Sequence, residues 1–237
     1  MINGLYSGAS ALDVFGRQQE LIASNLAHLN TPGHKRMLFS FLENSESINE
    51  ESTSRPGTSV EGFSTDFSQG NLKSTGRPLD VAISGDGFFE FERVNENVFS
   101  RGGPLFRDPT GKLVNAEGLA ILSEGESISI PLEISDRDIV IDISGTISAN
   151  GEELGKISVI NFDDNQLLES DTQTFFLQGE AEIVEEGEFQ ILQGSRELSN
   201  AHPVTELISL IVGSRRHESA NRVMSTITDA LKQSVRE

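Results

Sequence analysis

Residues 5–36, LYSGASALDVFGRQQELIASNLAHLNTPGHKR, carry a single periodicity from Leu5 to Leu29 and then a stop signal. Leu5, Gly8, Leu12, Phe15, Gln19, Ile22, Leu26 and Leu29 recur at alternating steps of three and four. That spacing places them on one face of an α-helix, as a narrow seam. The helix is expected to stop at Asn30-Thr31-Pro32-Gly33. Proline drives the residue before it out of the helical region, and Pro-Gly favours a type II turn. At 1.5 Å per residue the rod from Leu5 to Leu29 would be roughly 35–40 Å long. A narrow seam on so long a helix needs a partner helix.

The other end of the chain offers one. Asn200 is positioned as an N-cap, and Pro203 falls in the first turn, where its missing N–H costs nothing. Leu210, Gly213, His217, Ala220, Met224, Ile227 and Leu231 repeat the three–four spacing, flanked by Leu207 and Ile211. Small residues in the middle of this seam permit close helix approach.

Between the two helical ends the period changes. Residues 37–75 begin with a short apolar run, Met37 to Leu42. A Ser/Glu/Asn-rich stretch then reads as a loop or extended connector. From Gly76 the period is two. Leu79 to Ile83 and Phe88 to Glu92, joined by Ser84-Gly85-Asp86-Gly87, read as a hairpin. Further strand-like runs occur at 97–101, 112–115, 119–122, 127–131, 139–143, 155–162, 175–178 and 189–192. Turn signals such as Asp108-Pro109-Thr110-Gly111 and Asn150-Gly151 separate them. The expected class is α+β: long N- and C-terminal helices pair as a coiled coil around a central antiparallel all-β domain. The expected division is an N-terminal assembly helix (1–36), a connector (37–75), a β domain (76–198) and a C-terminal assembly helix (199–237).

Charge separates these parts. The formal net charge is −19, yet residues 1–36 and 199–237 each carry +1, so the middle holds −21. Such a surface repels phosphates, which argues against nucleic acid and anionic lipid as partners. The nearly neutral ends suit packing against other copies. Cysteine is absent, which excludes disulfide and thiolate chemistry. No apolar run reaches the roughly 18–20 residues of a membrane span. No basic n-region and apolar h-region open the chain, so no cleaved secretory signal is expected.

No catalytic constellation emerges. Gly85-Asp86-Gly87 lies between two strands, so the helix N-terminus that would hold a phosphate is missing. His28, His34, His202 and His217 lack metal-ligand spacing. Asp136/Asp138 and Asp163/Asp164 lack the spaced ligands and closing glutamate of a calcium loop. No G-x-S-x-G elbow is present. No enzyme activity, cofactor or metal is expected.

Ser24-Asn25-Leu26-Ala27-His28-Leu29-Asn30-Thr31-Pro32-Gly33-His34-Lys35 resembles the N-terminal signature of the flagellar rod and hook protein family, approximately (A/S)-N-L-A-N-x-N-T-x-G-(F/Y)-K. Arg77 to Ile83 with Gly85-Asp86-Gly87-Phe88-Phe89 is similar to the motif that opens the family's β domain. Glu206-Leu207-Ile208 through Arg215-Arg216-His217-Glu218 is similar to its C-terminal E-(M/L)-V…R-x-(F/Y)-E helix. The chain departs from these patterns at His28, where Asn is usual, and at His34 and His217, where aromatics are usual. Ala220 also replaces a polar residue. The short length and the Arg215-Arg216 pair point to a proximal rod protein, with a distal rod or hook-type subunit as the alternative.

The resemblance implies a structural subunit of the flagellar basal body, exported by the flagellum's own type III apparatus and located in the periplasmic rod. Its partners would be other copies of itself, other rod proteins and the export apparatus, with no nucleic acid and no membrane insertion. Many copies would pack their terminal helices into an inner tube. The residues marked for that assembly are Leu5, Leu12, Phe15, Ile22, Asn25, Leu26 and Leu29 at one end. At the other they are Leu207, Leu210, Ile211, Arg215, Glu218, Met224, Ile227 and Leu231. Asn30, Thr31, Pro32, Gly33 and Lys35 form the family-like loop between helix and β domain. Apart from the resemblance, a β-rich binding or adhesin module held together by coiled coils fits the same pattern.

Overall fold

The computed structural model describes residues 2–44, 57–94, 96–184 and 187–234, with residues 2–7, 41–44, 57–61, 231 and 234 described for their backbone alone. Helix α1 (Ile2–Ala27) opens the chain and helix α2 (Pro203–Ser234) closes it, with antiparallel β structure between them. The side chains of two expected seam residues, Leu5 and Leu231, lie outside the described residues.

The chain divides into two compact units. One comprises residues 1–27, 37–66 and 201–237; the other comprises 28–36 and 67–200. In the first unit, α1 and α2 lie side by side and antiparallel. Gly8 of α1 meets Met224 of α2, and Gln19 Nε2 donates to Ser214 Oγ at 3.1 Å. A side chain on Gly8 would collide with the Met224 sulfur, so glycine there sets the helix approach. The segment expected as a connector holds two paired strands, β1 (Met37–Asn44) and β2 (Gly57–Thr65), in register from Met37↔Thr65 to Asn44↔Gly57 with a bulge at Ser40/Phe41. This hairpin packs on α1. The polar residues 45–56 that weighed toward a connector lie outside the described residues.

In the second unit, β3 (Leu72–Ser74) pairs with Ser195–Glu197, and β4 (Val81–Gly85) pairs with Phe189–Gln193. Strands β5 (Phe88–Phe91) and β6 (Val98–Ser100) occupy the middle of a six-stranded antiparallel sheet. Phe176–Leu177 and Glu169–Ser170 follow on one side, Val159–Phe162 and Ile183–Val184 on the other. The expected hairpin across Gly85-Asp86-Gly87 does not form, because β4 and β5 belong to different sheets. Asp86 N donates to Glu188 O at 3.1 Å instead, and a Cβ on Gly85 would meet that same carbonyl. The turn is a corner, set by the close approach of a strand about a hundred residues away in sequence.

Other turns are local and follow their sequence. Asn150 and Gly151 both take positive φ between Ala149 and its partner Glu152, the signature of a two-residue type I′ hairpin. Asp108, Asn115 and Asp142 each close a turn by accepting backbone N–H bonds from residues two and four ahead. Part of the middle segment's carboxylate content is therefore turn chemistry. The Arg77-Pro78-Leu79-Asp80 motif also has a packing role. Asp80 is fully buried and accepts from Thr75 Oγ1 (2.6 Å) and from Arg196 Nε and Nη2 (2.6 and 3.0 Å), with Arg77 beside it at 3.3 Å. It ties the entrance of β4 to the last strand. Around it Leu79, Val81, Ile83, Phe89, Phe91 and Ile191 form the main core, and Phe88, Phe99, Phe162 and Phe176 a second aromatic cluster.

Candidate assembly site

Helix α1 presents two buried faces where the sequence indicated one. The seam face carries Leu12, Phe15 and Leu26, half-buried, and Ile22, buried. A second face carries Val14, Leu21 and Asn25, all buried. Asn25 shows what this face does. Its Nδ2 donates to Met37 O and its Oδ1 accepts from Met37 N, both at 3.0 Å. One amide thus satisfies both backbone groups of the first residue of β1, fixing the hairpin to the helix. Val14 and Leu21 fall off the three–four seam, which hid them in the sequence.

Helix α2 also has two apolar faces, and they differ in exposure. Leu210, Met224 and Ile227 are half-buried on the side that carries Gly213, whose nearest neighbour is Gln19 of α1. Leu207, Ile211, Arg215 and Glu218 lie on the opposite side and are exposed. So the residues marked for assembly separate into those that join α1 to α2 within one chain and those left on the outer surface.

The helix ends at Ala27, earlier than the seam to Leu29 implied. His28 O accepts from Thr31 N at 3.0 Å, a turn that forms before Pro32 can clash. Leu29 is half-buried in this turn and Asn30 is exposed. The residues that follow group with the β unit. Gly33 has φ +74° and donates its N–H to Glu197 O at 3.0 Å; a Cβ there would sit 2.1 Å from Gly102 N, so only glycine fits. Lys35 is buried. Its Nζ donates to Glu197 Oε1 at 2.7 Å and to Ser68 O at 2.8 Å. Glu197 Oε1 also accepts from Gly70 N (2.9 Å), and Arg101 Nη1 reaches Glu197 Oε2 at 3.5 Å. Burial pulls Arg101 below its usual pKa, and the Glu197 carboxylate opposes that effect. Asn200 does not act as a helix cap. Its Oδ1 accepts from Arg36 N at 2.7 Å and its Nδ2 donates to Ser68 O, closing the same cluster.

His34 completes the loop. It is buried, its Nδ1 lies 3.1 Å from Ser199 Oγ, and its ring stacks on His28 at 5.2 Å. Burial first, and then the neighbouring His28, pull its pKa down from 6.5 to about 4. The unfolded chain takes up this proton near pH 6.5, while the folded chain resists until about pH 4. The stability that neutral His34 protects is therefore complete above that window and is lost as pH falls through it, by about 3 kcal/mol. A His34→Phe variant should lack this component. The check is the difference in melting temperature between the two proteins from pH 7 to pH 4. Parallel curves would show that another group is responsible.

Comparison with known proteins bears on both ends of the chain. The model of the flagellar hook protein FlgE/F/G D1 domain matches residues 82–149, which run from β4 through the strand Thr146–Ala149. The chain is 27% identical over 261 residues to the flagellar basal-body rod protein FlgG of Bacillus subtilis, covering 99% of this chain and 98% of the relative. It is 27% identical over 241 residues to the rod protein FlgF of Caulobacter vibrioides, covering 99% and 97%. The FlgF of Salmonella typhimurium is also 27% identical, over 247 residues covering 97% and 95%. The relatives matched over nearly their full length are flagellar basal-body rod proteins. Among the described residues no helix is long and apolar enough to cross a membrane.

Proposed function

We propose that this chain is a member of the flagellar rod and hook protein family and a structural subunit of the bacterial basal-body rod. Its α1 and α2 associate with those of neighbouring copies as coiled coils, building a helical tube that transmits torque. The observation that carries this reading is the outer face of α2. It is rich in exposed aliphatic side chains, although the same helix already has an apolar face toward α1. A helix apolar on two opposite sides is suited to lie between two others. The matches to rod proteins extend over nearly the whole chain, terminal helices included, and supply the context. Length and the Arg215-Arg216 pair favour the proximal rod, with a distal rod or hook-type position as the second reading. Export through the flagellar type III apparatus, without a cleaved signal, would bring the subunit to the periplasmic rod.

The test is direct. Deleting the gene should abolish swimming and leave basal bodies without a completed rod, and the chain should be found in purified basal bodies of the parent strain. Normal swimming in the deletion strain, or a chain absent from those basal bodies, would overturn the proposal. A closed trimer in solution with no rod association would favour the adhesin-like alternative.

A further inference from the structure

Among the surfaces that the helical unit leaves open after α1 and α2 have joined, two differ in shape and charge. The first is a ridge on α2. Val204, Leu207, Ile208 and Ile211 are 50–69% exposed on the side away from α1, and at its edge Val212, Arg215 and Arg216, also exposed, turn toward a groove shared with Gly8, Ala11 and Phe15 of α1. The second is a groove of about 700 Å³ between α1 and the hairpin, floored by Leu12, Leu21, Met37 and Phe63. Gly16 lies in this groove, and a side chain built there would meet nothing within 4 Å. Glycine in a helix interior costs stability, and nothing among the described residues uses the space. The groove's rim carries Asp13 and Glu20, with Arg17 paired to Asp13 at 3.0 Å. The ridge is thus aliphatic and, with Arg215 and Arg216 against Glu218, net basic; the groove is about equally polar and apolar, with an acidic excess.

We propose that the α2 ridge of one copy seats in the α1–hairpin groove of the next, with Arg215 facing the Asp13 and Glu20 rim. This inference rests on the rod reading and names the contact by which copies join. Ridge and groove lie on different faces of one body, so the contact is heterologous. Such a contact leaves a free ridge and a free groove at the two ends and repeats without closing, as a filament requires. Four aliphatic side chains form a small patch beside the roughly 800 Å² per partner of a stable pairwise interface. Free subunits therefore stay apart in dilute solution, and the contact holds only where further neighbours add to it.

The chain has no cysteine, so introduced pairs report without background. Cells carrying Gly16→Cys and Ile208→Cys in one chain are oxidised with copper phenanthroline, and their basal bodies are probed on non-reducing gels. A disulfide needs Cα atoms within about 7 Å. The double variant should give a ladder of dimers, trimers and larger species, while either single variant stays monomeric. Basal bodies that contain the double variant but give no ladder would overturn this contact and leave the rod reading standing. Dimers from Ile208→Cys alone would overturn it in favour of ridge meeting ridge. A chain missing from wild-type basal bodies would overturn both. An independent check uses charge. Glu20→Arg and Arg215→Glu should each reduce swimming at least tenfold, and together restore it. Wild-type swimming in both single variants would overturn the pairing.

Discussion

Replacing Glu197 by alanine should destabilise the β unit by about 3–5 kcal/mol, the largest single-site effect expected in it. Glu197 is buried, and its carboxylate is the shared partner of Lys35 at 2.7 Å and Arg101 at 3.5 Å. Removing it leaves two like charges without their counter-ion in a place that water does not reach, and leaves Gly70 N without its acceptor. Desolvation of an unpaired ion sets the size of the loss, which far exceeds that of an exposed pair such as Arg222–Glu218. Lys35→Met should cost less, because Glu197 keeps Arg101 and Gly70 N. The double variant should be more stable than Glu197→Ala alone, since one of the stranded cations is gone. Urea unfolding followed by circular dichroism measures all three. A Glu197→Ala midpoint within error of wild type would mean that the carboxylate is not the anchor of the 28–36 loop.

Replacing Ile211 by aspartate should abolish rod assembly and swimming while leaving the isolated subunit as stable as wild type. Ile211 is 55% exposed, so in the free chain the new carboxylate stays in water. Surface changes of that kind usually fall within about 0.5 kcal/mol. Once a neighbouring copy covers the ridge, the same carboxylate must be buried unpaired or protonated, and either costs several kcal/mol per contact. The loss recurs at every subunit. Ile22→Asp should behave in the opposite order. Ile22 is buried within the helical unit, so its substitution should lower the melting transition of the free chain first. Paired measurements of subunit melting and of the chain's recovery in basal bodies separate the two cases. Equal destabilisation of the free chain by both variants would show that the α2 ridge is covered within the subunit.

Much of this protein is legible from local pattern. The three–four spacing marks both helices, Asn150-Gly151 marks its hairpin, and the period-two runs mark most of the longer strands of the β unit. These signals depend on neighbours a few residues apart, where side-chain direction and backbone preference act directly. The family-like loop is equally legible as a type of segment: Pro32-Gly33 stops the helix, and Gly33 takes the positive φ that the next chain contact requires.

What only the tertiary structure decided is which distant groups meet. Lys35 and Glu197 are separated by 162 residues, and nothing near either one signals a buried ion pair. Gly85-Asp86-Gly87 has hairpin composition but forms a corner, because β4 finds its partner at Phe189–Gln193 rather than in the strand after the turn. The seam residues offered one face for one role. Packing instead divided them into Leu210, Met224 and Ile227 on the half-buried side of α2 and Leu207 and Ile211 on its exposed side. The period of a helix identifies its apolar positions. Which of them are covered depends on the elements that pack against it.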